Sequence, residues 1–189
     1  MKKTILSAAL AVLTMAVMAQ STWKSDKMHS QLKFDITHYG ISTVSGAFTD
    51  IEVMVTAAKE DFSDAVVELK AKATSITTGV TPRDEHLRSA DFFDVATFPE
   101  LSYKSTGIKK LGDNKYELTG NLTMHGVTKP VTLQMELRGT STNPRNQKKA
   151  AGIRVTGKIN RSDFGIGAKF PAPSLSEEVT ITGDGEFGM

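Results

Sequence analysis

Hydrophobic and polar residues alternate along most of the chain beyond residue 30. Alternation with a period of two residues predicts strands that bury one face and expose the other. Five stretches show this pattern clearly. Their apolar positions include Leu32, Phe34 and Ile36; Leu118, Leu122 and Met124; Val131, Leu133, Met135 and Leu137; Ile153, Val155 and Ile159; and Val179, Ile181 and Phe187.

Further strands fit residues 43–56, 64–76 and 100–109, and a phase slip near Phe48 and Ile51 suggests a β-bulge in the first of them. Turns are predicted at 112–114 and 125–130, and a long exposed hairpin loop at 139–150. Successive strands are therefore mostly joined by hairpins. The sequence predicts one all-β domain, an eight-stranded antiparallel barrel, in preference to a sandwich.

Residues 81–89 interrupt the strands with the pattern of a short helix. Thr81 can act as the N-cap, Pro82 suits the first helical position, and Asp84 follows three residues after the cap. The apolar pair Phe92 and Phe93 comes directly afterwards. We expect this helix to lie across one end or flank of the barrel.

An outer-membrane barrel would show the same alternation with its apolar face outward. Such barrels carry aromatic girdles, whereas this chain has one Trp and three Tyr. Several predicted strands are also shorter than the roughly 9–11 residues that cross a bilayer. The sequence therefore favours a barrel with an apolar interior and no stable membrane insertion.

The first 19 residues have the pattern of a secretory signal peptide. Lys2 and Lys3 precede an apolar run, and small residues lead to a cleavage site after Ala19. The run is too short for a membrane-spanning helix, which needs about 20 apolar residues. We therefore predict a signal peptide at 1–19, a single mature domain at 20–189, and a periplasmic or secreted protein.

Charge and composition exclude several classes of function. Without Lys2 and Lys3 the 23 basic residues fall to 21, which balances the 21 acidic residues, so no nucleic-acid partner is expected. Cysteine is absent, and the four histidines, His29, His38, His86 and His125, are not spaced as metal ligands. No nucleophile motif or phosphate-binding loop occurs. The sequence predicts no catalytic residue, no metal and no cofactor.

The apolar phase of the strands contains unusually small residues, namely Ala71, Ala73, Gly120, Gly157, Gly183 and Gly185. An eight-stranded barrel is either filled by its side chains or holds one small ligand. Small inward residues favour a lumen, although the glycines could instead mark corners or bulges. From strand phase, the predicted lumen residues are Phe34, Ile36, Leu69, Ala71, Ala73, Leu101, Tyr103, Leu118, Leu122, Met124, Leu133, Met135, Val155, Ile159 and Ile181.

An ordered set of motifs resembles the YceI-like family of secreted, lipocalin-like barrels from Trp23 to about Phe187. The motifs are His29-Ser30 before Phe34, His38 with Gly40-Ile41, Val44 to Phe48, Ser75 to Thr78, Arg83 to Leu87, Asp91 to Asp94, Phe98-Pro99, Gly120 to Val131, and Arg161 to Ile166. The resemblance implies a binding protein that encloses polyisoprenoid chains, isoprenoid quinones or fatty-acid derivatives. It brings no catalytic constellation. It also implies that His38, Arg83, Asp84 and His86 lie at the mouth, near a ligand head group, or fix the helix.

Three functions remain open at this point. The first is a carrier that holds a long-chain isoprenoid or another amphiphilic lipid in its lumen. The second is an enzyme acting on such a lipid, which would depend on His38 or His86. The third is a structural or stress-related surface protein with a filled interior and no ligand. The sequence also leaves open whether the protein is a monomer or a homodimer.

Overall fold

The computed structural model describes residues 20–189, so the predicted signal peptide lies outside the described residues. Ten strands and one α-helix follow one another along the chain. The strands are β1 (Ser21–His38), β2 (Ser42–Phe48), β3 (Ile51–Ala57), β4 (Val66–Lys72), β5 (Ile76–Thr77), β6 (Glu100–Gly112), β7 (Lys115–Met124), β8 (Val127–Thr142), β9 (Lys149–Asn160) and β10 (Leu175–Gly188), and the helix α1 is Thr81–Arg88.

The strands close into an antiparallel barrel with eight strand positions. This confirms the predicted fold. Neighbours run in the order β10, β9, β8, β7, β6, β4, β3 and β1, and β1 pairs with β10 to close the sheet. The first half of β1 pairs with β3 and the second half with β2. Strands β2 and β3 therefore share one strand position of the barrel. This position is interrupted between Phe48 and Ile51, where the sequence predicted a bulge. Strand β5 adds two residues beside β2.

The connections between the strands lie at the two ends of the barrel. One end, here called the helix end, carries the β1–β2 turn, α1, the β7–β8 turn and the segment 161–174. The opposite end, the far end, carries the turns at 58–65, 113–114 and 143–148 together with the start of β1 and the end of β10. In the β7–β8 turn, His125 and Gly126 both have positive φ values, 50° and 73°, as a two-residue hairpin requires.

Three sequence expectations are corrected in detail. The predicted loop 139–150 is shorter in the structure. Its polar residues do not alternate with apolar ones, yet they extend the β8–β9 pairing as far as Thr142 opposite Lys149. The predicted strand 64–76 ends at Lys72, and residues Ala73–Ser75 form a short 3-10 helix. Helix α1 begins at Thr81 with Val80 as its cap residue, so Thr81 is not the cap. Within residues 20–189 no helix is long and apolar enough to span a membrane.

The far end is filled by a compact core. Trp23 packs on Phe62 with ring centroids 5.3 Å apart, and both are buried. Tyr116 is fully buried, and its hydroxyl donates to the carbonyl of Asp61. Met135 lies opposite Tyr116 on the neighbouring strand. We call these four residues, Trp23, Phe62, Tyr116 and Met135, the plug. They leave the helix-end part of the barrel as the place for a site.

Candidate functional site

Two cavities lie above the plug. The outer cavity, of about 320 Å³, is at the helix end, and the inner cavity, of about 120 Å³, lies deeper in the barrel. Five residues line both of them: Phe34, Phe48, Met124, Ile159 and Ile181. The cavities are thus neighbours that share these side chains, and we call the mainly apolar space that they make up together the passage.

Aromatic side chains from the helix-end segments cover the outer cavity. Phe92 and Phe170 stack with centroids 5.1 Å apart, and the His86 ring meets each of them edge-on, at 5.0 and 5.4 Å. Phe93 packs edge-on against Phe48 at 5.6 Å. Because these rings come from α1, from the turn after it and from the segment 161–174, the cover joins two separate parts of the chain.

An ionic contact joins the same two parts. Lys169 Nζ lies 2.5 Å from one oxygen of Asp91, and His86 Nε2 lies 3.2 Å from the other. The Lys169 ammonium, with a smaller contribution from His86, holds the pKa of the Asp91 carboxyl below its usual range. The Asp91 carboxylate therefore stays ionised and links α1 to the segment that carries Phe170.

Arg161 is buried at the rim of the outer cavity and is occupied by the protein itself. Its guanidinium donates to the carbonyls of Ile166, Gly167 and Phe170 at 2.6–2.9 Å and to those of Leu175 and Ser176. It also donates to Glu177 at 3.1 Å. Since its donors already have acceptors, Arg161 shapes the segment 161–174 and is a poor candidate for holding a ligand.

The remaining polar side chains of the outer cavity are His38, Arg83, His86 and Ser174. Arg83 is half-buried, and its Nε donates to the Thr78 hydroxyl at 2.7 Å. The His38 ring meets Tyr39 edge-on at 4.4 Å. These groups lie at the helix end, whereas the inner cavity is lined mostly by aliphatic and aromatic side chains. In that inner cavity, burial raises the pKa of Tyr103 to about 12.

Both cavities are therefore mainly apolar, with polar side chains at the helix end and a second polar set, Ser30, Gln31, Lys33 and Asp184, beside the inner cavity on β1 and β10. Such an arrangement suits an amphiphile, because an apolar tail can enter the barrel while a polar group stays near the solvent. Pockets that bind small molecules have this composition in general, with apolar walls and a few placed polar groups.

Comparisons with known proteins agree with this geometry. The family model described as the YceI-like domain matches residues 23–187. The chain belongs to the YceI-like family. A curated relative, Protein YceI of Salmonella arizonae, is 38% identical over 189 residues, which cover 98% of each chain.

Two solved structures are similar in fold. The YceI protein of Campylobacter jejuni is 28% identical, with a TM-score of 0.74 over 82% of this chain and 90% of that one. A domain from Saccharophagus degradans, described as polyisoprenoid-binding and implicated in plant cell wall breakdown, has a TM-score of 0.67. It is 15% identical and covers 89% of this chain and 98% of its own, so it supports the fold alone.

Most of the predicted lumen residues of this YceI-like barrel line one or both cavities. They are Phe34, Ile36, Leu69, Leu101, Tyr103, Leu118, Leu122, Met124, Leu133, Val155, Ile159 and Ile181. Of the predicted mouth residues, His38, Arg83 and His86 line the outer cavity. Contact of any of these residues with a ligand stays a prediction.

Three predicted lumen residues are buried without lining either cavity. Ala71 lies between Ile51 and Leu101 on the adjacent strands, and these larger side chains take the space beside it. Ala73 is in the 3-10 helix after β4, where its N–H donates to the carbonyl of Pro99. Met135 belongs to the plug, below the passage.

Asp84, the fourth predicted mouth or helix-fixing residue, lines neither cavity and instead attaches α1 to the segment before it. It is buried, and its carboxylate accepts hydrogen bonds from the Thr77 and Thr78 hydroxyls at 2.8 and 2.6 Å and from the Thr78 N–H at 2.7 Å. The Thr78 hydroxyl is the main reason that the pKa of Asp84 lies below its ordinary value. Arg88 also attaches α1 to the preceding segment, because its guanidinium donates to the carbonyls of Thr74 and Ile76.

Sequence reasoning missed cavity residues in the connecting segments and also some in strands β2 and β10. The missed cavity residues include Val44, Phe48, Leu87, Phe92, Phe93, Ile166, Phe170, Leu175 and Val179, together with Arg161. Period-two phase cannot assign residues outside strands, which is why most of these were not selected. The Phe92–Phe93 pair was a usable signal, since two adjacent phenylalanines after a polar helix must pack on something apolar.

Within residues 20–189 the structure has one cluster of three possible metal ligands, Asp26, His29 and Glu186. All three are exposed, and none of them lines either cavity. Exposed acidic clusters of this kind are common without an ion, so the cluster gives no reason to assign a metal centre.

Proposed function

We propose that this protein is a carrier that binds a long-chain polyisoprenoid, of the isoprenoid quinone type, or another amphiphilic lipid in its barrel. It would act in the periplasm or after secretion, once residues 1–19 are removed. The observation that carries the proposal is the pair of neighbouring, mainly apolar cavities between the plug and the helix end, with His38, Arg83 and His86 in the lining of the outer one. Membership of the YceI-like family supports the choice of ligand class, and a neighbour in fold, the Saccharophagus degradans domain, is described as polyisoprenoid-binding.

Hydrophobic burial is sufficient to hold such a ligand. Each methylene group removed from water contributes about 0.8 kcal/mol, so a chain filling both cavities would bind well without any specific contact. The loss of chain freedom offsets much of this gain. A head group would stay near His38, Arg83 and His86, where solvent and hydrogen-bonding groups are available. Tail length would thus determine affinity more than head-group chemistry.

The test begins with the mature protein purified without detergent. Native mass spectrometry and organic extraction are expected to find a co-purifying lipid or quinone. Protein stripped of lipid should then take up prenyl alcohols, and its melting temperature should rise with ligand concentration, because a ligand that binds only the folded state stabilises it. A stripped, folded protein that neither retains nor takes up any prenyl alcohol, quinone or fatty acid would contradict the proposal.

A further inference from the structure

Bare backbone forms the wall of the inner cavity at Gly183. This residue lies on β10 between Leu32 of β1 and Val155 of β9, on the same phase as Ile181, whose side chain also lines the cavity. A Cβ added at Gly183 would find no atom closer than 4.0 Å, the nearest being the Cβ and carbonyl oxygen of Val155. A side chain at this position would therefore extend into empty space.

The other glycines on the inward phase differ in this respect. A Cβ at Gly120 would lie 2.5 Å from the Tyr103 ring, and one at Gly157 would lie 2.3 Å from Leu133 Cδ2. At Gly185 it would lie 2.5 Å from Ser30 Oγ. Those three glycines make room for neighbouring side chains. At Gly183 no neighbouring side chain fills the corresponding space, which is therefore part of the inner cavity.

Gly183 also lies at the deep end of the passage. Along β1 the lining residues run from His38 at the helix end to Ser30, a distance of roughly 26 Å at about 3.3 Å per residue. Ser30 pairs with Gly185, and Leu32 with Gly183. Beyond them the plug closes the barrel. A ligand whose head group stays at the helix end therefore reaches Gly183 only with the last part of its tail.

We propose that Gly183 is a specificity-determining residue that sets the chain length of the ligand. Its missing side chain leaves the inner cavity open, so the barrel admits amphiphiles whose tails extend beyond the outer cavity. The inference rests on the proposed function, because it concerns the same passage. A bulky residue at this position would shorten the usable passage and leave the outer cavity unchanged.

The experiment compares Gly183→Leu with the wild-type protein and with Thr182→Leu as a matched control. Thr182 is on the same strand but on the opposite phase, and it lines neither cavity. Lipid-free proteins are incubated with geraniol, farnesol and geranylgeraniol, in order of increasing length, and affinity is measured by a competition assay. Gly183→Leu should retain geraniol and farnesol. It should lose at least about tenfold in affinity for geranylgeraniol, whose tail is long enough to reach Gly183, because each excluded methylene weakens binding about fourfold. Thr182→Leu should bind like the wild type.

The outcomes separate this inference from the proposed function. If the wild type binds none of the alcohols, the proposed function fails. If the wild type binds them and Gly183→Leu binds all three equally well, or loses all three to the same extent, the role of Gly183 in chain length is wrong. Should Gly183→Leu not fold, Gly183→Ala replaces it. The same test applies, with a smaller and still length-dependent loss expected, and a length-independent result overturns the inference.

Discussion

Glycines on the inner face of the barrel differ in what surrounds them. Gly120 and Gly157 are covered by Tyr103 and Leu133, so these two glycines allow large side chains to cross the interior. Gly46 accepts the Phe34 ring in the same way, since an added Cβ would lie 2.3 Å from that ring. Small residues on an inward phase therefore do not by themselves indicate empty space. Whether the space beside such a residue is empty depends on the size of the side chain that lies over it.

Gly120→Ala should destabilise the fold. The added methyl would lie 2.5 Å from the Tyr103 ring and 2.6 Å from the carbonyl oxygen of Lys104, and the backbone oxygen cannot move aside cheaply. Overpacking of this kind typically costs about 1–3 kcal/mol. Gly183→Ala is the matched control, and it should be neutral or stabilise by about 0.4–1 kcal/mol, because it only restricts the unfolded chain. Urea unfolding of both variants measures the difference; equal stabilities would show that the contacts at Gly120 relax freely.

At the same scale, the sequence could assign most of the lumen residues, because strand phase follows directly from alternation. It could not assign Ala73. Alternation alone carries this residue into β4, whereas the strand ends at Lys72 and the chain turns there to start the connection toward α1. Nothing in the alternation distinguishes the last residue of a strand from the first residue of a turn.

Among the elements, α1 and the segment 161–174 together cover the helix end. Neither is held mainly by its own secondary structure: α1 is a two-turn helix, and 161–174 has a 3-10 helix only at Arg161–Phe164. Short helices depend on tertiary contacts. Here these contacts are buried polar groups, Asp84 for α1 and Arg161 for the segment. The sequence indicated the helix, but the acceptors of Arg161 could not be predicted, since they are backbone carbonyls placed by the fold.

Arg161→Met should weaken the fold strongly. The substitution removes donors from five carbonyls and from Glu177, and a buried acceptor left without a partner costs about 1–3 kcal/mol. We expect a loss of about 3 kcal/mol or more in the free energy of unfolding. The control is Arg154→Met, which breaks the half-exposed ion pair with Asp184 and should cost at most about 1 kcal/mol. Similar losses in the two variants would contradict the role given to Arg161.

Asp84→Asn should reduce stability in a pH-dependent way. At neutral pH the variant places an amide nitrogen against hydroxyl and N–H donors, which costs about 1–3 kcal/mol. The pKa of Asp84 is lowered in the folded state, mainly by the Thr78 hydroxyl. The carboxylate therefore stabilises the fold fully above its unfolded-state pKa of about 3.9, and this stabilisation is lost as the pH falls through the lower folded-state value.

Unfolding measured between pH 3 and pH 7 checks this expectation. The stability difference between wild type and Asp84→Asn should be constant above about pH 5 and should decrease below about pH 4. A difference that stays constant down to pH 3, while both proteins are folded at that pH, would show that the ionised carboxylate is not what holds α1.

On the scale of the whole molecule, the barrel is divided along its axis. The plug supplies the tightly packed core that the fold needs, and the two cavities occupy the remaining length. In the proposed function, the packed core and the ligand-binding space therefore lie at different levels along the barrel axis. Alternation indicates which face of each strand is inward, but it does not show where along a strand the interior is filled. That depends on the turns, because Phe62 comes from the β3–β4 connection and completes the plug.

Two phenylalanine variants test this division. Phe62→Ala removes a fully buried ring from the plug, where deletion of a core aromatic costs about 3–5 kcal/mol. Phe93→Ala removes a half-buried ring from the cover of the outer cavity, which already borders open space, so its loss in stability should be smaller. Lipid uptake per folded molecule should be unchanged in Phe62→Ala and reduced in Phe93→Ala. Thermal melts and uptake of a prenyl alcohol by lipid-free protein measure both quantities. If Phe62→Ala lost uptake while Phe93→Ala kept it, the ligand would lie in the far end of the barrel, and the assignment of the passage to the helix end would be wrong.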